Sequence, residues 1–126
     1  MTKEEAKNII REVLTSLDNQ DIEKWRSLYA ENLQYHLIGT LKPLSRDEYW
    51  YSLDSRHETF TDFHHTINDI IAEQITDTEW KVALMFSVSI THIATGKPFS
   101  GTGMALFRIQ NGKIVGQWDK LSPPKV

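Results

Sequence analysis

Asp119 ends the run "KIVGQWD", one residue after Trp118, where the alternation of the preceding residues asks for something aliphatic. A carboxyl held among Met, Leu and Trp side chains loses hydration, so its charged form is disfavoured and its pKa rises. Such a group suits proton transfer at a carbon beside a carbonyl. The plainer alternative is a strand-end acid that faces water or pairs with Lys120 or Arg108. His36, next to Tyr35, is the candidate second group for the same cavity, as proton shuttle or hydrogen-bond donor, with a structural histidine as its alternative. His64 and His65 resemble metal ligands on paper, but adjacent strand residues point to opposite faces and one ion cannot easily take both. No metal site is expected. His57 and His92 read as helix-surface and strand-end residues, with the mouth of the cone as the alternative for His92. With no cysteine in the chain, disulfides, thiolate metal sites and a Cys nucleophile are excluded. There is no glycine-rich phosphate loop either, so no cofactor is expected.

The elements that must position these residues fall into two halves. Thr2 with Glu5 forms a capping-box pattern, and Ile9, Ile10, Val13, Leu14 and Leu17 follow at helical spacing, which predicts a helix over 3–18. Asp21 can cap a second helix with Ile22, Trp25, Leu28 and Tyr29 on its apolar side. Residues 33–38 alternate and are β-rich, a strand ended by Gly39. Ser45 with Glu48 opens a third helix that carries Tyr49, Trp50, Leu53 and His57 and ends near Phe60. From residue 65 the period becomes two: strands over 65–75 and 79–93, then 98–110 and 113–121 joined at Asn111-Gly112, a type I′ hairpin signal. "SPPKV" reads as a loose tail.

Strands of about a dozen residues exceed the usual five or six, so this antiparallel meander must twist and curl, with Gly101 and Gly103 as bend points. The expected fold is α+β: a cone-shaped roll of strongly curved, mainly antiparallel sheet with three N-terminal helices over its concave face. A two-residue turn at 111–112 pairs Gln110 with Lys113 and carries Met104 opposite Asp119 and Leu106 opposite Gln117. Gln117, Met104 and Leu106 therefore share one face with Asp119, and Tyr35, on the first strand, is a further candidate for the wall of a cavity on that side. Both sheet faces are greasy, and the helices can cover only one. The convex one most simply meets a second copy, which predicts a homodimer.

Bulk composition narrows the partners. A length of 126 residues fits a single domain over 1–126. With 14 basic against 17 acidic side chains the chain lacks the positive excess that nucleic-acid binding needs. "MTKEEAKNII" has no secretion-signal core and no run is long enough to cross a membrane, so a soluble, cytoplasmic protein is expected.

In order and spacing, "NQDIEKWRSLYAENLQYHLIG", "FTDFHHTINDIIAE" and "ATGKPFSGTGMALFRIQNGKIVGQWD" resemble the nuclear transport factor 2-like superfamily, specifically its SnoaL-like polyketide cyclase branch. The resemblance spans nearly the whole chain. It implies that Asp119 is a general acid/base inside the cone, that the face shared by Gln117, Met104 and Leu106 points inward with it while the Trp118 face lies at the dimer contact, and that the third helix lids the cavity, with Trp50 as a pocket residue or, as its alternative, a core residue like Tyr49. Those cyclases carry a pocket histidine opposite the acid, where this chain has Met104-Ala105. The scaffold serves several chemistries as well as non-enzymatic binding. Three readings follow: an isomerase-, cyclase- or dehydratase-type enzyme acting through Asp119 on a small hydrophobic carbonyl compound, a non-catalytic binder of such a molecule, or a dimeric scaffold with a filled cone.

Overall fold

The computed structural model describes residues 1–122, so most of the tail expected at 122–126 lies outside the described residues. Helix α1 (Lys3–Asp18) opens on the expected capping box: the Thr2 hydroxyl accepts the Glu5 N–H at 3.1 Å and the Glu5 carboxylate accepts the Thr2 N–H at 2.9 Å. Its buried stripe is Ala6, Ile10, Val13 and Leu14, where each large aliphatic contributes about 1.5–3 kcal/mol by leaving water. Asp21 caps α2 (Ile22–Leu28) by accepting the Lys24 N–H. That helix is one residue shorter than its apolar pattern suggests. Tyr29 begins strand β1 (Tyr29–Leu37) and still stacks on Trp25 at 4.3 Å, so its burial is kept with the backbone extended. A second capping box, Ser45 with Glu48, opens α3 (Arg46–Ser55), and a 3-10 turn (Arg56–Glu58) replaces the expected last helical turn.

Four further strands follow: β2 (Phe60–Gln74), β3 (Glu79–His92), β4 (Pro98–Gln110) and β5 (Lys113–Leu121). They form one curved sheet in the order β1-β5-β4-β3-β2. All neighbours are antiparallel except β1, which returns beside the last strand in parallel. Helix α1 packs on β2 and β3 while α3 packs on β1, which encloses the concave side carrying Val82, Leu84, Phe86, Ala105 and Phe107, all buried. No helix among the described residues is long and apolar enough to cross a membrane.

The last hairpin corrects the expected register. Asn111 and Gly112 take the positive φ angles of 51° and 79° that a type I′ turn demands. Gln110 then pairs with Lys113 and Ile109 with Ile114, but Val115 is looped out and Arg108 pairs with Gly116. Every later pair moves by one, so Phe107 opposes Gln117 and Ala105 opposes Asp119. Met104 and Leu106, expected in the cavity, sit instead on the convex face, 58% and 39% exposed. The bulge has a packing reason: Ile114 and Gln117 are both buried, yet in a regular strand residues three apart face opposite ways. One extra residue puts both inside.

Candidate active site

Between the helices and the concave sheet lies a cavity of about 450 Å³. Most of its wall is apolar, with Val13, Leu14 and Leu17 from α1 facing Leu84, Phe86 and Phe107 from the sheet. A few polar groups interrupt it: Asp119 and Gln117 from β5, Tyr49 from α3, His65 from β2, and Arg56 from the 3-10 turn.

Asp119 and Gln117 are buried at 6% and 3% exposure, which rules out the solvent-facing alternative. Arg108 is engaged elsewhere, by Glu79, and Lys120 is exposed on the opposite side of the strand. The Asp119 carboxyl accepts the Tyr35 hydroxyl at 2.7 Å and the Gln117 amide at 3.1 and 3.2 Å. Gln117 is itself held, since its carbonyl oxygen accepts the Tyr29 hydroxyl at 2.6 Å and its amide also donates to the Tyr49 hydroxyl at 3.0 Å. Burial pushes the Asp119 pKa above the usual carboxylate range, against the opposing pull of the Gln117 and Tyr35 hydrogen bonds and the Arg56 charge. Burial likewise raises Tyr29, Tyr35 and Tyr49, with the Asp119 charge adding to each, so all three remain phenols able to donate.

Another wall holds an imidazole, fixed by a carboxylate, that the sequence did not disclose. His65 Nδ1 lies 2.6 Å from Asp18 Oδ1, and the His65 backbone N–H donates to Asp18 Oδ2 at 3.0 Å. The last residue of α1 thus fixes both the backbone and the ring of a residue on β2. With Nδ1 against the carboxylate, Nε2 is left to exchange a proton, and among the described residues it has no partner. His64 is largely in solvent, its side chain 73% exposed, although its Nδ1 still comes within 3.8 Å of Asp18 Oδ2. Among the described residues no three His, Asp or Glu side chains converge as a metal site would need. Asp18 and His65 are 47 positions apart, and no spacing rule joins a helix terminus to a strand; only the alternation of β2 hinted that one of the two histidines faces inward.

The other expected site residues divide. Tyr35 stands behind the cavity wall, bonded to Asp119 and stacked on Tyr49 at 3.7 Å. His36 is corrected: one residue along β1, it points to the convex face and stacks on Trp118 at 5.2 Å, nearly parallel, because β1 runs beside β5 with His36 opposite Trp118. Trp50 is corrected too. It packs 5.0 Å from Trp25 and borders a small crevice beside the cavity, leaving Tyr49, its helical neighbour, to face inward.

The chain that builds this cavity and its buried acid fits the family profile described as SnoaL-like polyketide cyclase over residues 7–121. The chain belongs to that family. Among curated proteins, no significant match was found. Solved structures share the fold. IdmH of Streptomyces antibioticus, a candidate polyketide cyclase, is 24% identical with a TM-score of 0.80 over 92% of this chain and 91% of its own. AclR of Streptomyces galilaeus, a candidate hydroxylase, is 20% identical with a TM-score of 0.83 over 96% and 81%. An M. tuberculosis epoxide hydrolase of the LEH-like type is 16% identical with a TM-score of 0.77 over 95% and 84%. At such identities the likeness is one of fold, and the variety of names on that fold leaves the reaction to the site's own chemistry.

Proposed function

We propose that this SnoaL-like protein works as a cytoplasmic homodimer whose cavity takes up a small apolar carbonyl compound, and that Asp119 moves a proton on it as general acid/base. One observation carries the reading: a buried carboxyl of raised pKa and a carboxylate-held imidazole, His65, share the wall of a single largely apolar cavity. In its charged form Asp119 takes a proton from the carbon beside the carbonyl. His65 Nε2 then exchanges a proton at a second atom, and Tyr49, facing the same space, supplies a hydroxyl for the oxygen on which negative charge gathers. Removal at one atom with delivery at another is what enol isomerisation, aldol-type ring closure and loss of water have in common. The cavity, at about 450 Å³, exceeds the roughly 300 Å³ of small ligand sites, which favours a bound molecule over a filled scaffold.

A second reading, a binder without catalysis, draws on Ala105, which opposes Asp119 where related cyclases carry a histidine. The two part on a reaction that needs no knowledge of the natural substrate, exchange of the α-hydrogens of 2-tetralone for deuterium in D₂O, followed by NMR. The expected outcome is exchange faster than buffer with the native protein and at the buffer rate with Asp119→Asn, the variant remaining folded. Binding of 2-tetralone without accelerated exchange would assign the chain to the binders, and full exchange by Asp119→Asn would remove that residue from the mechanism.

A further inference from the structure

Of the five arginines, four have a carboxylate within reach: Arg11 with Glu4, Arg26 and Arg46 with Asp47, and Arg108 with Glu79. Arg56 has none. Among the described residues its guanidinium makes neither an ion pair nor a hydrogen bond, although Asp54 borders the same crevice and Glu58 shares its turn. Yet Arg56 is not a stray surface charge. It is exposed to solvent and also borders both the main cavity and the adjoining crevice, which places it at the opening. Its charge is felt inside, where it opposes the upward shifts of Asp119, Tyr35 and Tyr49. The negative groups that could neutralise it from within are otherwise occupied. The Asp119 carboxyl is bonded to Tyr35 and Gln117, and Asp18 is engaged by His65.

An unpaired guanidinium beside an apolar, partly closed space favours a ligand that supplies what the protein omits. We infer that the ligand is amphipathic, with an apolar ring body against Leu84, Phe86 and Phe107 and a carboxylate at the opening that forms a two-pronged ion pair with Arg56. A carboxylate matches the guanidinium fork in shape as well as charge. The inference rests on the cavity being a ligand site, as proposed above, and it narrows the substrate class to acidic carbonyl compounds.

The test uses two probes of nearly equal shape, naphthalene-2-acetate and its uncharged primary amide, titrated calorimetrically into the native protein at low salt and at neutral pH. The acetate is expected to bind about tenfold more tightly than the amide. Arg56→Gln should abolish that preference while leaving the amide affinity within twofold, and Arg56→Lys should restore part of it. Equal affinity of the two probes for the native protein overturns the inference, as do equal weakening of both by Arg56→Gln or failure of either to bind. Because both probes are only bound, the preference reports on Arg56 whether or not Asp119 transfers protons. Lack of tetralone exchange together with a preserved acetate preference would sink the catalytic reading alone.

Discussion

A carboxyl buried as deeply as Asp119 opposes folding whenever it is charged. Its folded pKa lies above the unfolded one, so the folded state binds the proton more tightly. The stability linked to that proton is fully present below the unfolded pKa, at about pH 4, and is lost as pH rises through the higher folded value. Asp119→Asn removes the titration. Its amide group would face the Gln117 amide, donor against donor, which lowers stability by an amount independent of pH. The pH-dependent part survives that offset: the melting temperature of the variant minus that of the native protein should climb from pH 4 to pH 8. Calorimetric melts in matched buffers measure it, and a difference flat across that range would mean that Asp119 is hydrated after all. Tyr35 and Gln117 act on the same quantity from the other side, because their hydrogen bonds stabilise the charged form and limit the rise.

Among the elements, what the sequence discloses is what is local. Both capping boxes, the Asn111-Gly112 turn and the alternating faces of β3 are set by residues at most a few positions apart, and each is found as read. The bulge at Val115 has no such signature. It arises because Ile114 must pair with Ile109 while Gln117 reaches Tyr29, 88 positions away. That single extra residue decides that Ala105 rather than Met104 opposes Asp119. The Asp18–His65 pair is hidden for the same reason, since it exists only once α1 has docked on β2. Within β4, Gly103 proves to be a point of close approach: a Cβ there would lie 2.5 Å from the Phe86 ring and 2.9 Å from Leu121. Phe86 also lines the cavity, which gives its ring space to yield inward. Gly103→Ala should therefore lower stability by about 1–2 kcal/mol, toward the low end for overpacking because empty space is at hand, and weaken 2-tetralone binding at the same time. Chemical denaturation and a ligand titration on one preparation check both. Lost stability with unchanged affinity would show that the ring moves elsewhere.

Over the whole molecule the sheet separates two surfaces of different use. The concave side holds the cavity with Asp119 and His65 in its wall, and the convex side carries a continuous row of half-exposed or exposed apolar and aromatic side chains. Met85 lies opposite Met104, Leu106 opposite Trp118 and Trp118 opposite His36, which spans four neighbouring strands. Exposed apolar surface of this kind is what an interaction site presents, and the proposed two-fold dimer would cover it with an identical row, needing about 800 Å² from each copy. In such an isologous contact every substitution acts twice. Leu106→Glu places two carboxylates at the joint while touching nothing in the cavity, since Leu106 faces away from Asp119 and Gln117. Analytical ultracentrifugation should find the native protein at twice the 14.6 kDa chain mass and the variant at the single mass, with the variant's far-UV circular dichroism unchanged. A native protein that sediments as a monomer at micromolar concentration would leave the convex row without the proposed partner. A variant that stays dimeric would move the contact off this face, and with it the reason for so many uncovered apolar residues on β3 and β4.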